Sequence, residues 1–536
     1  MNRDRTTPPQ DSTPPFTWTL AASPDQRTEV VIVGAGPVGL SLALGLARLG
    51  IRSVVLEREA EPSRSSKAPG IHQRTREILR QWGVERRLLE RGHLLERIEL
   101  HAASEPGKVL VSADLSHLRE EAERPGLLLI EQSETERVLL AEVEGTGLTE
   151  VRFGAEVHRL TRTPTGMSAH YRRAGEAPTS IEGAFIAGCD GASSMVRRAA
   201  GIDFSGFTYS LSPVLADVRL ATDALDLPSP RILNDGEGLT VGLRLPGGSW
   251  RIIHMARGPA PSASSGIHGR VQAVLGRRPY TVEWSSRFRV HRRAAERFVA
   301  GRVILAGDAA HIHSPAGGLG MNLGIQDAHN LAWRLHAALR GGDSEHLLDS
   351  YDVERRTAIG HDVARHADTL TRVFLQSPAW LRRLAFACLN VALKVPLVRS
   401  RALRRIAMLD FSYRDSPSLL PRRRGAGVRL PNVLLTRGEG ARVRLYDLLA
   451  YEPTLIRVGD ARPAGFEVAG VTTLDLASSG LRCESRHLDR LLGSDEGWIL
   501  VRPDLHIAWL GDDEGELGYA LTLLRAPRRA ENWRAA

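Results

Sequence analysis

The chain has 536 residues, 42% hydrophobic and 25% charged, so it is long enough for several domains and its composition excludes a disordered or fibrous protein. Its 71 basic and 62 acidic residues give a net charge of +9, but the two signs alternate, which argues against a nucleic-acid-binding protein. No apolar run is long enough to span a bilayer, and the three cysteines form no CxxC pair. We therefore expect a folded cytoplasmic protein that binds neither nucleic acid nor membrane.

Residues 1–28 contain five prolines among polar residues and predict a disordered tail. Ordered structure is predicted to begin at Glu29, because Val30–Val33 is a continuous β-branched run typical of a strand buried on both faces of a parallel sheet. A helix is predicted over Val38–Leu49 and a second buried strand over Ser53–Leu56. Strand, glycine turn, helix and strand together form one βαβ unit.

Further buried strands are predicted at Ala184–Ala187 and Arg302–Ala306. Between them, residues 203–284 alternate between apolar and polar positions, which favours an antiparallel sheet inserted into the first domain. Long helices are predicted over Leu323–Leu339 and Ser344–Asp368.

A polar, basic linker is predicted over Asp415–Arg424, and a third unit follows it. The clearest features of that unit are a β-hairpin over Trp498–Trp509 and an amphipathic helix over Glu514–Leu524. We therefore predict an α/β fold divided into a tail at 1–28, a first domain in two parts at 29–202 and 285–414, an inserted sheet domain at 203–284, and a C-terminal domain at 415–536.

Residues 34–39 have the pattern GxGxxG, directly after a predicted buried strand and at the start of a helix. In that context Gly34 permits a tight turn, Gly36 lets a pyrophosphate approach the backbone, and Gly39 lets the helix pack closely on the strand. Glu57 ends the second strand, where its carboxylate can accept two ribose hydroxyls and disfavours a 2′-phosphate. The motif predicts an adenine dinucleotide, and the chain has no second GxGxxG.

Two aspartates follow the later strands: Asp190 precedes a glycine, Asp308 follows one, and a glycine-rich stretch comes next at 315–322. In this order the segments resemble the three signature motifs of class A flavoprotein monooxygenases, relatives of para-hydroxybenzoate hydroxylase, from residue 29 to about 400. Within that family the chain most resembles the aromatic polyketide hydroxylases of antibiotic pathways. The resemblance implies a para-hydroxybenzoate hydroxylase-like FAD domain with an inserted antiparallel sheet domain and a C-terminal thioredoxin-like domain.

The resemblance implies that Asp308 binds the ribityl chain of FAD, that Asp190 lies near the pyrophosphate and the NAD(P)H route, and that Gln132 contacts the ribityl chain. Helix capping is the alternative for both aspartates, and an ordinary polar residue at a helix start is the alternative for Gln132. The full set of predicted FAD-binding residues is Gly34, Gly36, Pro37, Val38, Gly39, Glu57, Arg58, Arg64, Lys67, Gln132, Asp190, Gly307, Asp308, Pro315, Gly318, Gly320, Met321 and Asn322.

One segment departs from the family pattern. Lys67 stands where relatives carry an arginine, and lysine keeps the charge but lacks the planar fork. Arg64 is therefore the alternative contact to the pyrophosphate. Arg58 is expected either to cover the adenine or to be a solvated surface residue.

The glycine-rich stretch is predicted to carry the chemistry, with Pro315, Gly317 and Gly318 positioning the isoalloxazine ring. The N-terminus of the following helix would stabilise the anionic reduced flavin. The resemblance implies that NAD(P)H, with NADPH favoured, reduces the flavin. It also implies that molecular oxygen then forms a C4a-hydroperoxide that hydroxylates a bulky polycyclic aromatic substrate.

No catalytic base is assigned, and a structural role is expected for each of four polar candidates: His72, Arg74, His254 and His313. His311 and His313 are two residues apart, so a metal site is an alternative for this pair. We do not expect one, because no third ligand has suitable spacing. Alternatives to hydroxylation are Baeyer–Villiger or ring-opening oxygenation, or a non-oxygenating FAD-binding protein or dehydrogenase. A monomer or homodimer is expected.

Overall fold

The structure is a computed structural model. It describes residues 26–525 except for 64–68, 103–107, 210, 212, 222–228, 235–237, 257–262, 288, 314–316, 360–376, 421–424, 438–439 and 460–469. Within this part of the chain, no helix combines the length and the hydropathy needed to cross a bilayer.

The strands are numbered in chain order. The first eleven are β1 (Gln26–Val33), β2 (Ser53–Leu56), β3 (Gly70–Ile71), β4 (His93–Leu95), β5 (Arg97–Ala102), β6 (Val109–Asp114), β7 (Leu127–Leu129), β8 (Thr149–Arg152), β9 (Glu156–Arg162), β10 (Met167–Arg172) and β11 (Thr179–Gly188). The next ten are β12 (Phe204–Thr208), β13 (Val214–Leu220), β14 (Arg231–Asn234), β15 (Gly238–Arg244), β16 (Ser249–Ala256), β17 (Tyr280–Arg287), β18 (His291–Ala295), β19 (Val299–Ala300), β20 (Val303–Leu305) and β21 (His311–Ile312). The last seven are β22 (Leu434–Arg437), β23 (Ala441–Arg444), β24 (Thr454–Val458), β25 (Thr472–Asp475), β26 (Leu481–Cys483), β27 (Gly497–Val501) and β28 (Ile507–Gly511).

The α-helices of the described residues are α1 (Pro37–Arg48), α2 (Gln73–Gln81), α3 (Glu85–Arg91), α4 (Gln132–Gly145), α5 (Met195–Ala199), α6 (Ala263–Leu275), α7 (Gly320–Leu339), α8 (Ser344–Thr357), α9 (Ala379–Ala392), α10 (Pro396–Ile406), α11 (His487–Leu492) and α12 (Glu514–Arg525). Short 3-10 turns lie at Leu115–Leu118, Gly307–Ala309 and Leu445–Leu448. The predicted helix over Ser344–Asp368 is described as far as the end of α8, and its last part lies outside the described residues.

The largest sheet has eight strands and is built around β1, which pairs in parallel with β11 on one side and with β2 on the other. Its strand order is β19-β20-β11-β1-β2-β8, and β10 and β9 extend it from β11. Residues Val30–Ile32 are completely buried, which confirms the prediction of a strand covered on both faces. Helix α1 packs on this sheet and against the buried helix α7.

The N-terminal boundary differs from the prediction. Strand β1 begins at Gln26, so the predicted tail over 1–28 ends too late. Gln26–Thr28 pair with Ile181–Gly183 through the backbone, which their polar side chains do not prevent. The predicted disorder of residues 1–25 lies outside the described part of the chain.

A second, seven-stranded sheet follows the order β17-β13-β16-β15-β14-β5-β6. Five of its strands come from the predicted inserted region and they pair antiparallel, as expected. The predicted boundaries 203–284 are nevertheless incomplete. Strands β5 and β6 come from residues 97–114, β5 pairs in parallel with β14, and β17 continues to Arg287. This pairing joins segments more than a hundred residues apart, so no local pattern indicates it.

Helix α6 covers one face of the seven-stranded sheet. A Cβ added to Gly242 would lie 2.3 Å from Cγ1 of Val274, so glycine at this position lets α6 pack directly on β15. Because side chains alternate along a strand, Val241 and Leu243 lie on the opposite face. There Leu243 clusters with Leu129, at the end of β7. The face opposite α6 is therefore turned toward the strand that leads into α4.

The C-terminal part contains a four-stranded sheet in the order β25-β24-β27-β28, with β24 parallel to β25 and antiparallel to β27. The predicted hairpin is confirmed as β27 and β28, and the thioredoxin-like character of this part stays a prediction. Trp498 and Trp509 of the hairpin pack into the core of the first domain, whereas Ile499 and Ile507 belong to the C-terminal core. The hairpin is therefore shared by two cores.

A buried ion network also joins the C-terminal part to the first domain. Glu354 on α8 lies 2.6 Å from Arg502 and 2.8 Å from Arg334, and all three side chains are inaccessible to solvent. Ser416 and Ser418, in the predicted linker, are buried and donate hydrogen bonds to Glu354. The linker prediction is therefore wrong for this segment, since polar residues that were expected to be solvated instead complete the network.

Candidate functional site

The predicted cofactor residues follow four neighbouring strands of the large sheet. In the order β20-β11-β1-β2, the strands are followed by Asp308, Asp190, the glycine turn at 34–39 and Glu57. All four strands are parallel, so these residues lie at one edge, where the carboxyl ends of the strands meet. Ligands of open α/β sheets bind at this edge.

The glycine turn between β1 and α1 is shaped by the end of β11. Gly34 has a φ of +105°, and a Cβ added to it would lie 2.5 Å from the carbonyl oxygen of Cys189. A Cβ on Gly39 would lie 1.9 Å from the carbonyl oxygen of Gly34, so backbone packing requires glycine at both positions. Nothing lies within 4 Å of a Cβ added to Gly36. The backbone at Gly36 is thus open to an approaching ligand.

Helix α1 starts directly at this opening. Its first residue is Pro37, which has no N–H to leave unpaired, and among the described residues no side chain caps this end. The first-turn amides and the positive end of the helix dipole can therefore face an anion. Val38 packs against the later motifs, because Cβ atoms added to Gly307 and Gly324 would lie 2.8 and 2.4 Å from its Cγ2.

Glu57 is oriented by two backbone amides. Its Oε2 accepts a hydrogen bond from the Ala35 N–H at 2.7 Å, and its Oε1 accepts one from the Glu59 N–H at 3.0 Å. Each oxygen keeps a lone pair for a ribose hydroxyl. The neighbouring Arg58 is exposed, and its Nε lies 3.1 Å from Oε1 of Glu59. The structure thus places Arg58 in a surface ion pair.

Asp190 has one satisfied and one unsatisfied carboxylate oxygen. Its Oδ2 accepts the amide N–H groups of Met195 and Val196 at 2.7 and 3.1 Å, at the start of α5. Its Oδ1 is buried and has no hydrogen-bond partner in the part of the chain that the structure describes. Because an unpaired buried carboxylate oxygen is costly, Oδ1 is suited to accept a hydrogen bond from a bound group.

Asp308 lies exposed on the 3-10 turn after β20, and a buried carboxylate holds that turn. The Gly307 N–H donates to Oδ2 of Asp327 at 2.9 Å, and Asp327 also lies 2.7 Å from His311 and 2.6 Å from Arg355. Burial opposes ionisation, but Arg355 and His311 outweigh it and hold the pKa of Asp327 below its usual value. The ionised Asp327 therefore fixes the turn that presents Asp308.

The two histidines of the predicted His-x-His pair have separate environments. His311 is engaged with Asp327, as described above. Burial, together with the nearby His311, lowers the pKa of His313 to about 3, so His313 is neutral at ordinary pH. In the described ranges there is no group of three or more residues that could hold a metal ion.

Asn322, in the first turn of α7, holds the preceding loop. Its Nδ2 donates to the carbonyl oxygens of Gly318 and Gly70, both at 2.9 Å. Its Oδ1 accepts the backbone N–H of His72 at 2.9 Å. The loop before α7 is thereby attached to the segment that joins β3 to α2.

The side chain of His72 makes a second attachment, between segments that are distant in the sequence. Its ring Nε2 lies 2.8 Å from the Gly317 carbonyl oxygen, and its Nδ1 lies 2.8 Å from the Ile406 carbonyl oxygen. Burial lowers the pKa of His72, while its two carbonyl partners oppose that shift. The partners are 245 and 334 residues away along the chain, so no motif or spacing could have indicated the contact.

The loop itself has glycine conformations and open space. Gly317 and Gly318 have φ values of +89° and +66°, and nothing lies within 4 Å of a Cβ added to Gly318 or Gly320. Met321, the next residue, is buried. An open backbone of this kind fits a flat ring lying against it. Among the described residues no side chain caps the start of α7, so its first-turn amides can face a bound group. Pro315 lies outside the described residues.

The remaining predicted residues are placed as follows. Gln132 begins α4, and its Nε2 donates to Oε1 of Glu136 at 2.7 Å, a position compatible with either interpretation given above. Arg64 and Lys67 lie outside the described residues.

Two of the candidate bases are engaged in packing, as expected. Arg74 is buried, and its Nη2 donates to the Asp504 carbonyl at 2.7 Å. His254 is buried with Nδ1 2.9 Å from the Thr240 hydroxyl, and alternation along β15 places Thr240 on the same face as Gly242, under α6.

The edge of the large sheet thus combines an open glycine turn, the oriented carboxylate of Glu57 and an Asp190 oxygen that has no partner among the described residues, and together these fit an adenine dinucleotide. Residues 27–367 match the family described as FAD binding domain, and residues 423–527 match the family described as Aromatic-ring hydroxylase, C-terminal. The chain belongs to the FAD-dependent aromatic-ring hydroxylase family and is a flavin-dependent monooxygenase.

Several relatives extend over nearly the whole chain. A 12-dehydrotetracycline 5-monooxygenase/anhydrotetracycline 6-monooxygenase from Streptomyces rimosus subsp. rimosus is 33% identical over 523 residues, covering 91% of this chain and 96% of its own. A rifampicin monooxygenase from Streptomyces venezuelae is 30% identical over 510 residues, covering 91% and 97%. The solved structure of the anhydrotetracycline hydroxylase OxyS from Streptomyces rimosus is 32% identical, with a TM-score of 0.77 over 94% of this chain and 100% of that one.

Proposed function

We propose that the protein uses NAD(P)H and molecular oxygen to hydroxylate a polycyclic aromatic substrate of the polyketide type. The observation that carries this proposal is the apolar face of the seven-stranded sheet opposite α6, which is turned toward the cofactor domain. The names of the relatives support the substrate class, since they act on tetracyclines and rifampicin.

The open face of the sheet is apolar across two strands. Val241 is paired with Ile253, and Leu239 is paired with Met255, and alternation places all four side chains opposite α6. Leu239, Val241 and Ile253 are only partly buried by the protein itself. Partly buried apolar side chains on this face, which pack against the Leu211 and Leu129 clusters, are suited to line the site of a large, flat apolar ligand.

We propose that FAD is held by the four strand ends described above, with its pyrophosphate at Gly36 and Pro37, its adenosine ribose at Glu57 and its ribityl chain at Asp308. When bound, FAD supplies electron transfer from NAD(P)H to oxygen and transfer of one oxygen atom to the substrate. Asn322 and His72 hold the loop against which the ring would lie. The first-turn amides of α7 would stabilise negative charge there.

The domain division, the oligomeric state, the cellular location and the choice of reductant stay proposals. The domain division is kept with three changes. The first domain begins at Gln26, the sheet domain continues to Arg287, and residues 97–114 are transferred to the sheet domain because β5 and β6 complete its sheet. A monomer or homodimer and a cytoplasmic location are proposed, and NADPH is proposed as the favoured reductant.

The proposed function is tested with the purified holoenzyme, NADPH or NADH, ¹⁸O₂, and anhydrotetracycline with related tetracyclic aromatics as substrates. We expect substrate-dependent oxygen uptake and one ¹⁸O atom in a phenolic product. Label in a lactone or ring-opened product would establish the Baeyer–Villiger alternative. Turnover that leaves no label in the product would show a non-oxygenating flavoprotein and refute the proposal.

The apolar face is tested separately by Val241→Asn, with Val282→Asn on the exposed strand β17 as the matched control. Val282 is 40% exposed, so its replacement changes little. We expect Val241→Asn to retain FAD but to raise the KM for the aromatic substrate, because a polar side chain is desolvated by an apolar ligand. An unchanged KM for Val241→Asn would remove this face from the substrate site.

A further inference from the structure

A band of exposed apolar side chains lies on α9 and the start of α10. Among the described residues, seven of the twelve most exposed large hydrophobic side chains fall between positions 380 and 398, and they are Trp380, Leu381, Leu384, Val391, Val395, Leu397 and Val398. Trp380 is 67% exposed and Val391 is 63% exposed. A concentration of this kind marks an interaction surface, because single exposed hydrophobic residues are otherwise scattered.

The two faces of helix α9 have different surroundings, one facing the protein and the other facing outward. Phe386 is 2% exposed and faces the protein, where α9 packs against β6. Trp380, Leu384 and Val391 follow one another at helical spacing on the outer face, and the exposed Cys388 lies between them. The outer face is therefore a continuous apolar stripe and not the edge of the core.

The charge of this segment is entirely positive. Residues 379–406 contain seven arginines and lysines and no aspartate or glutamate. Glu121 and Asp410, from outside the segment, pair with Arg404 and Arg405. Lys394 and Arg401 are exposed, and in the described part of the chain no ion pair involves either of them.

We propose that α9 and the start of α10 form a docking surface for an anionic lipid bilayer. Helices that lie in a membrane interface combine an apolar face carrying Trp and Leu with Lys and Arg beside it. Here Trp380 and Leu384 are exposed on α9, and Lys394 and Arg401 are exposed after α9 and on α10. The helices would lie in the interface plane, since no described helix can cross a bilayer. The prediction of no membrane contact rests on the lack of a spanning segment, which binding in the interface plane does not require.

Charge complementarity favours lipid over the other possible occupants. A second copy of the chain in a two-fold contact would place the same basic surface against itself. The neighbouring segment 360–376 has two arginines and two aspartates and so offers no net negative charge. An anionic bilayer supplies both an apolar layer and negative charge, and each basic residue near it strengthens binding by about fivefold.

The surface has a structural link to the proposed flavin loop. Helix α10 ends at Ile406, whose carbonyl oxygen lies 2.8 Å from Nδ1 of His72, and Nε2 of the same ring lies 2.8 Å from Gly317. The proposal itself does not depend on the flavin chemistry, so its test does not use activity.

The test is cosedimentation of the holoenzyme with vesicles of phosphatidylcholine and phosphatidylglycerol in equal amounts, with pure phosphatidylcholine vesicles for comparison. We expect binding to the anionic vesicles only, weakened as salt screens the charges. Lys394→Glu with Arg401→Glu is expected to weaken binding at least about 25-fold, and Trp380→Ser with Leu384→Ser at least about tenfold. Arg86→Glu is the matched control, because Arg86 is 87% exposed on α3, which contacts α2 and α4.

A fluorescent probe on Cys388 separates docking through this surface from general adsorption of a basic protein. We expect an environment-sensitive dye at Cys388 to shift to the blue on anionic vesicles, and the same dye on Tyr519→Cys in a Cys388→Ser background to remain unchanged. The proposal would be overturned if Lys394→Glu with Arg401→Glu abolished binding to the anionic vesicles while Trp380→Ser with Leu384→Ser left it unchanged. So would absent binding at low salt, an unshifted Cys388 probe, or a dimer that Trp380→Ser dissociates.

Discussion

Gly36→Ala separates cofactor binding from folding more cleanly than other changes at this site. Gly36 has a φ of −69°, which alanine adopts readily, and an added Cβ would meet no atom of the protein within 4 Å. Lower entropy of the unfolded chain favours alanine by about 0.4–1 kcal/mol, while the weaker N-cap opposes it by a similar amount. The apoprotein should therefore unfold at nearly the wild-type temperature.

FAD binding is expected to suffer, because the methyl group would occupy the space through which the pyrophosphate approaches the backbone. Loss of one or two hydrogen bonds to a charged group, about 1.5–3 kcal/mol each, corresponds to a decrease in affinity of at least about tenfold. The measurements are the flavin absorbance per protein after purification, FAD titration of the apoprotein by fluorescence quenching, and thermal unfolding of the apoprotein.

Gly39→Ala is the contrasting variant. Its Cβ would lie 1.9 Å from the Gly34 carbonyl oxygen, so the apoprotein itself should be destabilised by about 1–3 kcal/mol or more. If Gly36→Ala bound FAD as tightly as the wild type, the placement of the pyrophosphate at this turn would be wrong. If the Gly36→Ala apoprotein unfolded at as low a temperature as the Gly39→Ala apoprotein, the inference that Gly36 faces open space would be wrong.

Three further variants test the site, and a fourth tests the domain junction. Asp308→Ala should purify largely colourless, because the proposed ribityl anchor is lost; a fully yellow protein would contradict that role. Gly318→Val should retain FAD but turn over slowly, since a side chain would displace the ring; normal kinetics would count against it. His72→Ala should retain FAD and lower kcat more than it raises KM, with partial recovery in His72→Gln, whereas equal loss in both variants would indicate a purely steric role. Glu354→Gln should lower the free energy of unfolding by about 3–5 kcal/mol, measured by denaturant titration, because it leaves Arg502 buried without its full counter-charge; a loss below about 1 kcal/mol would be typical of a surface pair and would contradict this burial.

The lowered pKa of Glu354 predicts that the domain junction is sensitive to acid. Burial raises its pKa, but Arg334 and Arg502 outweigh burial and lower it to about 2, from 4.5 in the unfolded chain. A carboxylate with a depressed pKa contributes stability above its unfolded pKa and loses it as the pH falls toward the folded value. The stability of the wild type should therefore fall between pH 4.5 and about 2, and Glu354→Gln should show a smaller decline over that range.

Much of the cofactor edge was predictable from local sequence. The turn at 34–39 depends on glycines that are close in sequence to the strand and helix they join, and Glu57 follows in the same βαβ unit. Backbone conformation and strand burial are set by near neighbours, so the pattern of a short segment indicates them. The order of the four parallel strands then brings Asp190 and Asp308 to the same edge.

The residues that hold the loops of the site in place are apparent only from the tertiary structure. His72 reaches Gly317 and Ile406 across most of the chain, and Asp327 holds the Asp308 turn from the middle of a helix. Alternation along β15 shows that one of its faces is apolar, but only the packing of α6 on Gly242 decided which face the helix covers. Hydrogen bonds and side-chain packing depend on which distant segments meet, and a sequence pattern records a residue's own conformation but not its partner.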